Sequence, residues 1–235
     1  MNLSTFMKLA RVSNLPTVIS QILTITIITA SSFHFLPLLG VILAVSLLYT
    51  GGMFLNDGFD ADWDEIRQPY RPIPEGEASR NGVIFAGILM LLGAPVLILL
   101  GGTAPEGDRA ALLFSLLLLA GMITWYDWHH KSNPAAPLIM GACRGLVYIV
   151  AAYAFVPSLG MIHWMSAVAV ASYTAFLTFL ARGDLVQGRV VAWLIAGFCV
   201  VDMLLLLATG HGHWIWLPAL LLVLTRFGHG FVRGT

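Results

Sequence analysis

The chain has 235 residues, of which 58% are hydrophobic and only 10% are charged, and its mean hydropathy is +0.85. Soluble domains carry about 25% charged residues, so this composition excludes a soluble globular protein and predicts a polytopic membrane protein. The formal net charge is zero, which gives no electrostatic basis for a nucleic-acid partner. Both cysteines, Cys143 and Cys199, lie in apolar runs, so we expect buried thiols rather than a disulfide framework or a thiolate metal site.

Eight apolar runs are long enough to cross a bilayer as helices, which takes about 20 residues each. They cover roughly 13–32, 37–56, 82–102, 110–126, 135–156, 163–181, 190–209 and 214–231. The fourth run is short, and Arg226 and His229 interrupt the eighth. Continuous runs of this kind are not the short alternating strands of a membrane β-barrel. We therefore predict an all-α fold, a polytopic transmembrane helical bundle of about eight helices that forms a single domain over residues 1–235.

The basic residues are distributed unevenly between the two ends of the predicted spans. One end carries Lys8, Arg11, Arg67, Arg71, Arg80, Lys131, Arg182, Arg189, Arg226 and Arg233. The other end carries Arg109 alone, and Arg144 lies within the fifth span. By the positive-inside rule, the N-terminus and the polar loops 57–80, 127–134 and 182–189 are predicted to be cytoplasmic, in an inner membrane of bacterial type.

The most polar stretch of the chain, residues 56–65, directly follows the second apolar run and holds five of the twelve acidic residues. Asn56, Asp60 and Asp64 are spaced i, i+4 and i+8, which places three oxygen-bearing side chains on one face of a helix. Stacked carboxylates repel one another, and their oxygens suit a Mg²⁺ ion that is shared with a substrate's phosphates. A solvated loop is the alternative interpretation, whereas the Gly and Glu positions of a calcium-binding EF-hand are not met.

Two arginines, Arg67 and Arg71, follow this acidic stretch. A guanidinium group can bind a phosphate through two parallel hydrogen bonds. An acidic metal site followed by arginines, at the mouth of a membrane helix, therefore predicts a diphosphate site.

The fourth span ends in a polar segment that contains Asp127, a His-His pair at 129–130 and Lys131. Lys131 is either a second cation for the phosphate, oriented by Asp127 one helical turn earlier, or a lysine that extends to the membrane interface beside an aromatic belt. A zinc site at the two histidines is a weaker alternative.

Two charged residues, Arg144 and Asp202, are predicted to lie inside apolar spans. A charge inside a membrane helix is costly unless it meets a counter-ion or a cavity. We expect Arg144 to meet a substrate phosphate or an acidic residue of the first cluster, with a purely structural ion pair as the alternative. Asp202 is expected to pair with Arg144 or Arg226, or to line a cavity.

Two motifs carry a resemblance to a known family. Asn56-Asp57-x-x-Asp60-x-x-x-Asp64, followed by Arg67-x-Pro69-x-Arg71-Pro72-Ile73-Pro74, resembles the first aspartate-rich motif of the UbiA superfamily of intramembrane prenyltransferases. Supporting matches are the segment from Arg11 to Thr17 and the segment from Tyr126 to Lys131. The second segment, with Asn133-Pro134 and Cys143-Arg144, is more similar to the EboC-like branch than to the quinone-pathway enzymes.

The resemblance implies an all-helical bundle around a central cavity that opens towards the membrane. It implies a Mg²⁺ cofactor held on the diphosphate by Asn56, Asp60 and Asp64, with Asp60, Asp64 and Lys131 as the catalytic residues. The side chains expected to contact the diphosphate are Asn56, Arg67, Arg71, Tyr126, Lys131, Arg144 and Arg182.

This sequence departs from the superfamily pattern in two respects. The superfamily usually has nine helices, against about eight here. Its second acidic motif follows the sixth helix, where this chain offers only Asp184, between Arg182 and Arg189, as a further metal ligand. Either one metal subsite is absent, or arginine neutralises the diphosphate instead.

The leading hypothesis is an enzyme that transfers an isoprenyl group from a prenyl diphosphate to a lipophilic or small acceptor within the membrane. Mg²⁺ and cationic side chains would stabilise the charge that grows on the leaving diphosphate. Two alternatives stay open. One is a terpene cyclase on the same scaffold, and the other is a non-catalytic component that binds or transports prenyl lipids.

Overall fold

The computed structural model describes residues 1–182, 186 and 188–231, and the regular structure of these residues is helical. The helices are α1 (Leu3–Leu9), α2 (Leu15–Thr29), α3 (Phe35–Phe59), α4 (Ala61–Arg67), α5 (Arg80–Gly101), α6 (Arg109–His129), α7 (Ala136–Tyr153), α8 (Met161–Arg182), α9 (Arg189–Ala208) and α10 (Trp216–Phe231). Single 3₁₀ turns, Val12–Asn14 and Gly212–Trp214, precede α2 and α10. The all-α prediction is confirmed.

Eight segments of the described chain are long and apolar enough to cross a membrane. They are α3, α5, α6, α7, α8 and α9, together with α2 and α10, each extended by the 3₁₀ turn before it. The predicted number of spans is confirmed, including the eighth. Arg226 does not interrupt α10, because its guanidinium stacks over the ring of Trp193 on α9 at 4.2 Å.

Small residues let pairs of long helices approach closely. A Cβ atom added to Gly51 on α3 would lie 3.0 Å from the carbonyl oxygen of Gly87 on α5. One added to Gly141 on α7 would lie 2.5 Å from the carbonyl oxygen of Ala171 on α8. Apolar burial drives little association between helices in lipid, so close backbone packing of this kind supplies much of the cohesion.

Asp202 on α9 connects three spans, α2, α7 and α9, through side-chain hydrogen bonds in the interior of the bundle. Its carboxylate accepts one hydrogen bond from Ser20 on α2, at 2.5 Å, and one from the hydroxyl of Tyr148 on α7. Asp202 is fully buried, so these two bonds offset part of the cost of removing a carboxyl group from water. Among the described residues Asp202 forms no direct ion pair within 4.0 Å with Arg144 or Arg226, and neighbouring hydroxyl groups bind the carboxyl group instead.

Candidate functional site

The junction between α3 and α4 positions the acidic stretch. α3 runs three residues beyond its predicted end, and Asp60 connects it to α4 in a helical backbone conformation. The backbone amide of Asp60 donates to the carbonyl of Asn56, and that of Asp64 donates to the carbonyl of Asp60, each at 2.9 Å. Because the helical hydrogen-bond pattern continues through the junction, the three side chains stay on one side, and all three are buried.

These side chains line a cavity of about 470 Å³, which we call the polar chamber. Its walls come from α3, α4, the ends of α6 and α8, the start of α7 and the loops between them. Its other charged and polar lining residues are Arg11, Gln68, Arg71, Tyr126, Asp127, His130, Lys131, Thr178 and Arg182. The structure therefore gathers seven of the predicted residues around one space. They are Asn56, Asp60, Asp64, Arg71, Tyr126, Lys131 and Arg182.

Asp57 fixes two arginines at the edge of the polar chamber. Its Oδ1 accepts from Nη2 of Arg11 at 3.0 Å and from Nη1 of Arg71 at 3.1 Å. Nη1 of Arg71 also donates to Oδ2 of Asp64 at 2.8 Å. Burial raises the pKa of Asp64, and the charge of Arg71 offsets this only in part. Both guanidinium groups are thus held in place before any phosphate binds.

Lys131 and His130, on the loop after α6, both face Asp60. Nζ of Lys131 lies 2.8 Å from Oδ1 of Asp60, and Nε2 of His130 lies 3.4 Å from its Oδ2. Burial raises the pKa of Asp60, but these hydrogen bonds outweigh it, so the pKa lies below its ordinary value. Asp60 is therefore ionised at neutral pH.

Arg182, at the end of α8, holds the loop that carries Lys131. Its guanidinium lines the polar chamber and donates to the carbonyl of Lys131 at 2.8 Å and to the carbonyl of Asn133. These two hydrogen bonds connect the end of α8 to the loop between α6 and α7 and so help to hold Lys131 beside Asp60.

Asp127 does not orient Lys131 as expected. Its Oδ1 accepts from Nδ2 of Asn56 at 3.3 Å. Its Oδ2 is buried and has no hydrogen-bond partner among the described residues. α6 ends at His129, so Lys131 leaves the helix and reaches Asp60 instead. A buried polar oxygen without a partner is costly, so Asp127 is a candidate for contact with a bound ligand.

Two of the remaining predicted residues lie outside the polar chamber. Arg67 is the last residue of α4, and its exposed guanidinium stacks on the ring of Trp63 at 5.1 Å. Arg144 lines a neighbouring cavity. Asp184 lies outside the described residues.

The neighbouring cavity, which we call the apolar chamber, has a volume of about 230 Å³. Most of its walls are apolar side chains, from Val45, Leu48, Leu119, Ile123, Leu177, Ile195 and Phe198. It shares wall residues with the polar chamber, namely Arg11, Met53, Tyr126, Asp127, Met140 and Thr178. The two chambers are therefore adjacent, and one molecule with a charged head and an apolar chain can occupy both.

The sequence analysis assigned no site role to Arg11 or Asp57, and it expected Asp127 only to orient Lys131. Arg11 lines both chambers, and its Nη2 also lies 3.4 Å from Oδ1 of Asn56. It is the one non-glycine residue of the described chain with a positive φ, 43°. That left-handed backbone, sparsely populated by ordinary residues, turns its side chain towards α3. A basic residue just before a membrane span looks in sequence like an ordinary positive-inside residue.

The oxygen donors of the polar chamber fit a Mg²⁺ ion that is shared with a diphosphate. Asn56, Asp60 and Asp64 offer oxygen ligands, and Asp127 offers the buried oxygen without a partner. No group of three His, Cys, Asp or Glu side chains suited to a metal occurs within residues 1–182, 186 and 188–231. Mg²⁺ is usually bound by one or two carboxylates, waters and substrate phosphates, so a Mg²⁺ ion here would take most of its ligands from water and the diphosphate.

Comparisons with known proteins give one consistent family. The model of the UbiA prenyltransferase family matches residues 15–233. A protein of Saccharolobus solfataricus named digeranylgeranylglyceryl phosphate synthase is 30% identical over 193 residues, 80% of this chain and 63% of that protein. A protein of the same name from Methanoregula boonei is 41% identical over 96 residues, 40% of this chain and 32% of that protein.

A solved structure from work on digeranylgeranylglyceryl phosphate synthase in membranes has the same fold. Its TM-score is 0.60 at 18% sequence identity, and the superposition covers 98% of this chain and 95% of that one. At this identity the likeness establishes the fold alone. The narrower resemblance to the EboC-like branch stays a prediction.

The chain spans 63% of the S. solfataricus relative and about a third of the M. boonei relative. The family match nevertheless covers nearly the whole chain, from the first membrane span to the last. With eight apolar spans among its described residues, the chain is a multi-pass integral membrane protein, and it belongs to the UbiA prenyltransferase family.

Proposed function

We propose that this protein transfers a prenyl group from a prenyl diphosphate to a lipid-type acceptor within the membrane. The observation that carries the proposal is the adjacency of the two chambers. One is lined by carboxylates and fixed cations, and the other is lined mostly by hydrocarbon. An allylic diphosphate has this same division into a charged head and an apolar chain. The names of the relatives, which contain a prenylated glyceryl phosphate, support a lipid-type acceptor.

The polar chamber would hold the diphosphate. A bound Mg²⁺ ion, held by Asn56, Asp60 and Asp64, would neutralise charge on the leaving group. Arg71 and Lys131 would donate hydrogen bonds to the phosphate oxygens as negative charge grows on them. Before any ligand binds, Asp57 and Asp64 hold Arg71, and Asp60 holds Lys131, so both cations already lie beside the proposed position of the phosphate.

The apolar chamber would hold the reacting end of the prenyl chain away from water. Water would otherwise capture the allylic cation, and an apolar wall suppresses that side reaction. Tyr126 stands on the wall that the two chambers share, and its ring stacks on His130 with centroids 5.0 Å apart. Its π face is well placed to stabilise a developing cation at the boundary.

We also propose that the N-terminus and the polar chamber face the cytoplasm. The support is the charge bias of the sequence, in which basic residues are concentrated in the loops at one end of the spans. An inner membrane of bacterial type stays a prediction.

The proposal is tested by turnover of the purified protein in lipid nanodiscs. The assay supplies Mg²⁺ and a panel of labelled prenyl diphosphates, with and without a membrane lipid extract, and measures released diphosphate and labelled products. Release should require Mg²⁺, and Asp60→Asn should lower it by at least about a hundredfold, the size expected when one preorganised electrostatic contact is lost.

Asp62→Asn is the matched control, because Asp62 is two residues away, 80% exposed and paired with Arg80 outside the chamber. It should keep nearly full activity. A labelled acceptor identifies a transferase, and a cyclised hydrocarbon identifies a cyclase. Binding of prenyl diphosphate without release under any condition would refute the enzymatic proposal and support a lipid-binding role.

A further inference from the structure

Arg226 carries a positive charge inside the last membrane span and has no counter-ion among the described residues. It lies in α10, about 7.5 Å along the helix axis before Phe231, the last residue of that helix. Its guanidinium carbon lies 4.2 Å from the ring centre of Trp193 on α9. None of its nitrogens lies within 4.0 Å of a carboxylate oxygen of the described chain. An ionisable residue inside a span usually marks a functional site.

Two nitrogens at this end of α10 are buried without a hydrogen-bond partner among the described residues. They are Nη1 of Arg226 and Nε2 of His229. Residues three apart are neighbours on a helix surface, so the two nitrogens belong to one polar spot. Nδ1 of His229 lies 2.8 Å from the carbonyl oxygen of Thr225, so it carries the proton of the neutral ring, and a second proton would make Nε2 a donor. A bound group with anionic oxygens would satisfy both nitrogens.

The polar spot can be reached from the membrane. Arg226 and His229 are partly exposed as whole residues, and Trp193 is 58% exposed. Because these residues belong to spans, their exposed parts face lipid. None of the three lines the polar chamber or the apolar chamber. A ligand of this spot would therefore come from the bilayer and would take no part in the proposed reaction.

The exposed surface next to the polar spot is apolar towards the middle of the membrane. Trp193 lies near the start of α9 and Arg226 near the end of α10, so these neighbouring spans run antiparallel. Deeper in the membrane they expose aliphatic side chains, namely Val200 and Leu204 on α9 and Leu220 and Val223 on α10. Leu220 lies about 9 Å along the helix axis from Arg226. A phospholipid has this same arrangement, with a phosphate at one level and hydrocarbon chains below it.

Arg226 differs from a basic residue that only marks the end of a span. Such a residue extends into the headgroup region with its charged group in water. Arg189, the first residue of α9, is exposed in this way. The guanidinium of Arg226 instead lies on the ring of Trp193, with Nη1 covered by protein. A planar guanidinium that is already fixed loses little conformational freedom when it binds a phosphate.

We infer that Arg226, Trp193 and His229 form a binding site for the headgroup of an anionic phospholipid, whose acyl chains lie along α9 and α10. The phosphate would accept from Arg226 and from the protonated ring of His229, and the ring of Trp193 would hold the guanidinium in place. The bound lipid would add contacts to α10, which, with the turn before it, is the least buried of the spans found among the described residues. This site does not depend on the proposed prenyl transfer.

The test is a competition assay with labelled phosphatidylglycerol and the purified protein in uncharged detergent. Unlabelled phosphatidylglycerol, phosphatidylcholine with the same acyl chains, and inorganic phosphate are the competitors. Phosphatidylglycerol should displace the label at a concentration at least about fivefold lower than phosphatidylcholine, the size of one basic residue's attraction to an anionic lipid. Inorganic phosphate in large excess should displace little, because it lacks the acyl chains.

Arg226→Gln should reduce the preference for phosphatidylglycerol to less than about twofold, since its guanidinium carries the lasting charge of the site. Arg67→Gln is the matched control, because Arg67 also stacks on a tryptophan, Trp63 at 5.1 Å, but lies outside the membrane spans. It should keep the preference of the parent protein. If Arg226→Gln does not fold, Arg226→Lys keeps the charge without the planar group, and it should lower the affinity for phosphatidylglycerol while retaining part of the preference.

Equal displacement by the two phospholipids, or a preference that survives Arg226→Gln, would overturn the inference. Displacement by inorganic phosphate as effective as that by phosphatidylglycerol would also overturn it, because the site would then recognise a soluble anion. The same loss of preference in Arg67→Gln would show a general effect of surface charge and would refute a site at Arg226. Failure of the turnover assay would leave this site standing, since lipid binding is measured without substrate.

Discussion

Lys131 is paired with Asp60, a carboxylate that a metal ion would need. Replacing Lys131 should therefore raise the affinity for Mg²⁺ and lower the affinity for a prenyl diphosphate. Its Nζ lies 2.8 Å from Oδ1 of Asp60, with the two side chains 35% and 11% exposed. An exposed ion pair stabilises a protein by about 0–1 kcal/mol, whereas breaking a buried ion pair costs about 3–5 kcal/mol. The Lys131–Asp60 pair is partly exposed, so we assign it about 1–2 kcal/mol of interaction free energy. Mg²⁺ must displace the ammonium group to reach Asp60, so Lys131→Met should bind Mg²⁺ alone about 5–30-fold more tightly.

The same variant should bind a prenyl diphosphate more weakly. In the proposed complex the ammonium group of Lys131 transfers from Asp60 to the phosphate. A hydrogen bond to a charged group contributes about 1.5–3 kcal/mol, so its loss should weaken binding of the diphosphate about 10–150-fold.

Isothermal titration in nanodiscs measures both affinities, first with Mg²⁺ alone and then with an unreactive prenyl thiolodiphosphate in the presence of Mg²⁺. Lys8→Met is the matched control, because Lys8 also pairs with a carboxylate, Glu77 at 2.7 Å, but lies outside both chambers. It should change neither affinity. If Lys131→Met binds Mg²⁺ no better than the parent protein, Asp60 is not a ligand for which the two cations compete.

Three further changes test the site and the bundle. Arg71→Gln should lower turnover at least about a hundredfold, because a fixed donor to the phosphate is lost. Arg67→Gln, outside the chamber, should lower turnover less than about threefold. Equal losses in the assay of diphosphate release would contradict this placement of the two arginines. Gly141→Leu should destabilise the bundle by about 1–3 kcal/mol in thermal unfolding, because its Cβ meets the backbone of α8 at 2.5 Å. Gly121→Leu, with open space at that position, is its control and should leave the midpoint within a few degrees of the parent. Tyr148→Phe should cost about 1–3 kcal/mol in the same measurement, since it leaves a buried carboxyl group on α9 with one hydrogen bond fewer, and an unchanged midpoint would show that this bond adds nothing.

The parts of the fold that depend on local rules could be predicted from the sequence. Each span follows from the thickness of the bilayer, which sets the length of an apolar run whatever its neighbours are. The common side of Asn56, Asp60 and Asp64 follows from the helical period, which continues through the junction at Asp60. Even the interrupted eighth span forms, because an aromatic ring on α9 receives the guanidinium of Arg226.

The contacts that could not be predicted join residues far apart in the chain. Arg11 reaches Asp57 across 46 positions, and Asn56 reaches Asp127 across 71. Both depend on how α2 and α6 pack against α3, and no local pattern specifies that packing.

The different roles of Arg67 and Arg71 could not be predicted from the sequence either, although the two residues are close in the chain. Their spacing of four suggests equivalent roles on one helical face. α4 ends at Arg67, however, and the chain then turns, so only Arg71 returns to the acidic residues.

Three cations of the polar chamber are already engaged by carboxylates among the described residues. Arg11 and Arg71 lie beside Asp57, Arg71 also lies beside Asp64, and Lys131 lies beside Asp60, all at 3.1 Å or less. A phosphate that enters the chamber must therefore replace internal ion pairs rather than meet free cations. A ligand that brings a metal ion together with its phosphates offers new partners to both members of each pair, so we expect it to replace them at lower cost than a phosphate or a metal ion alone.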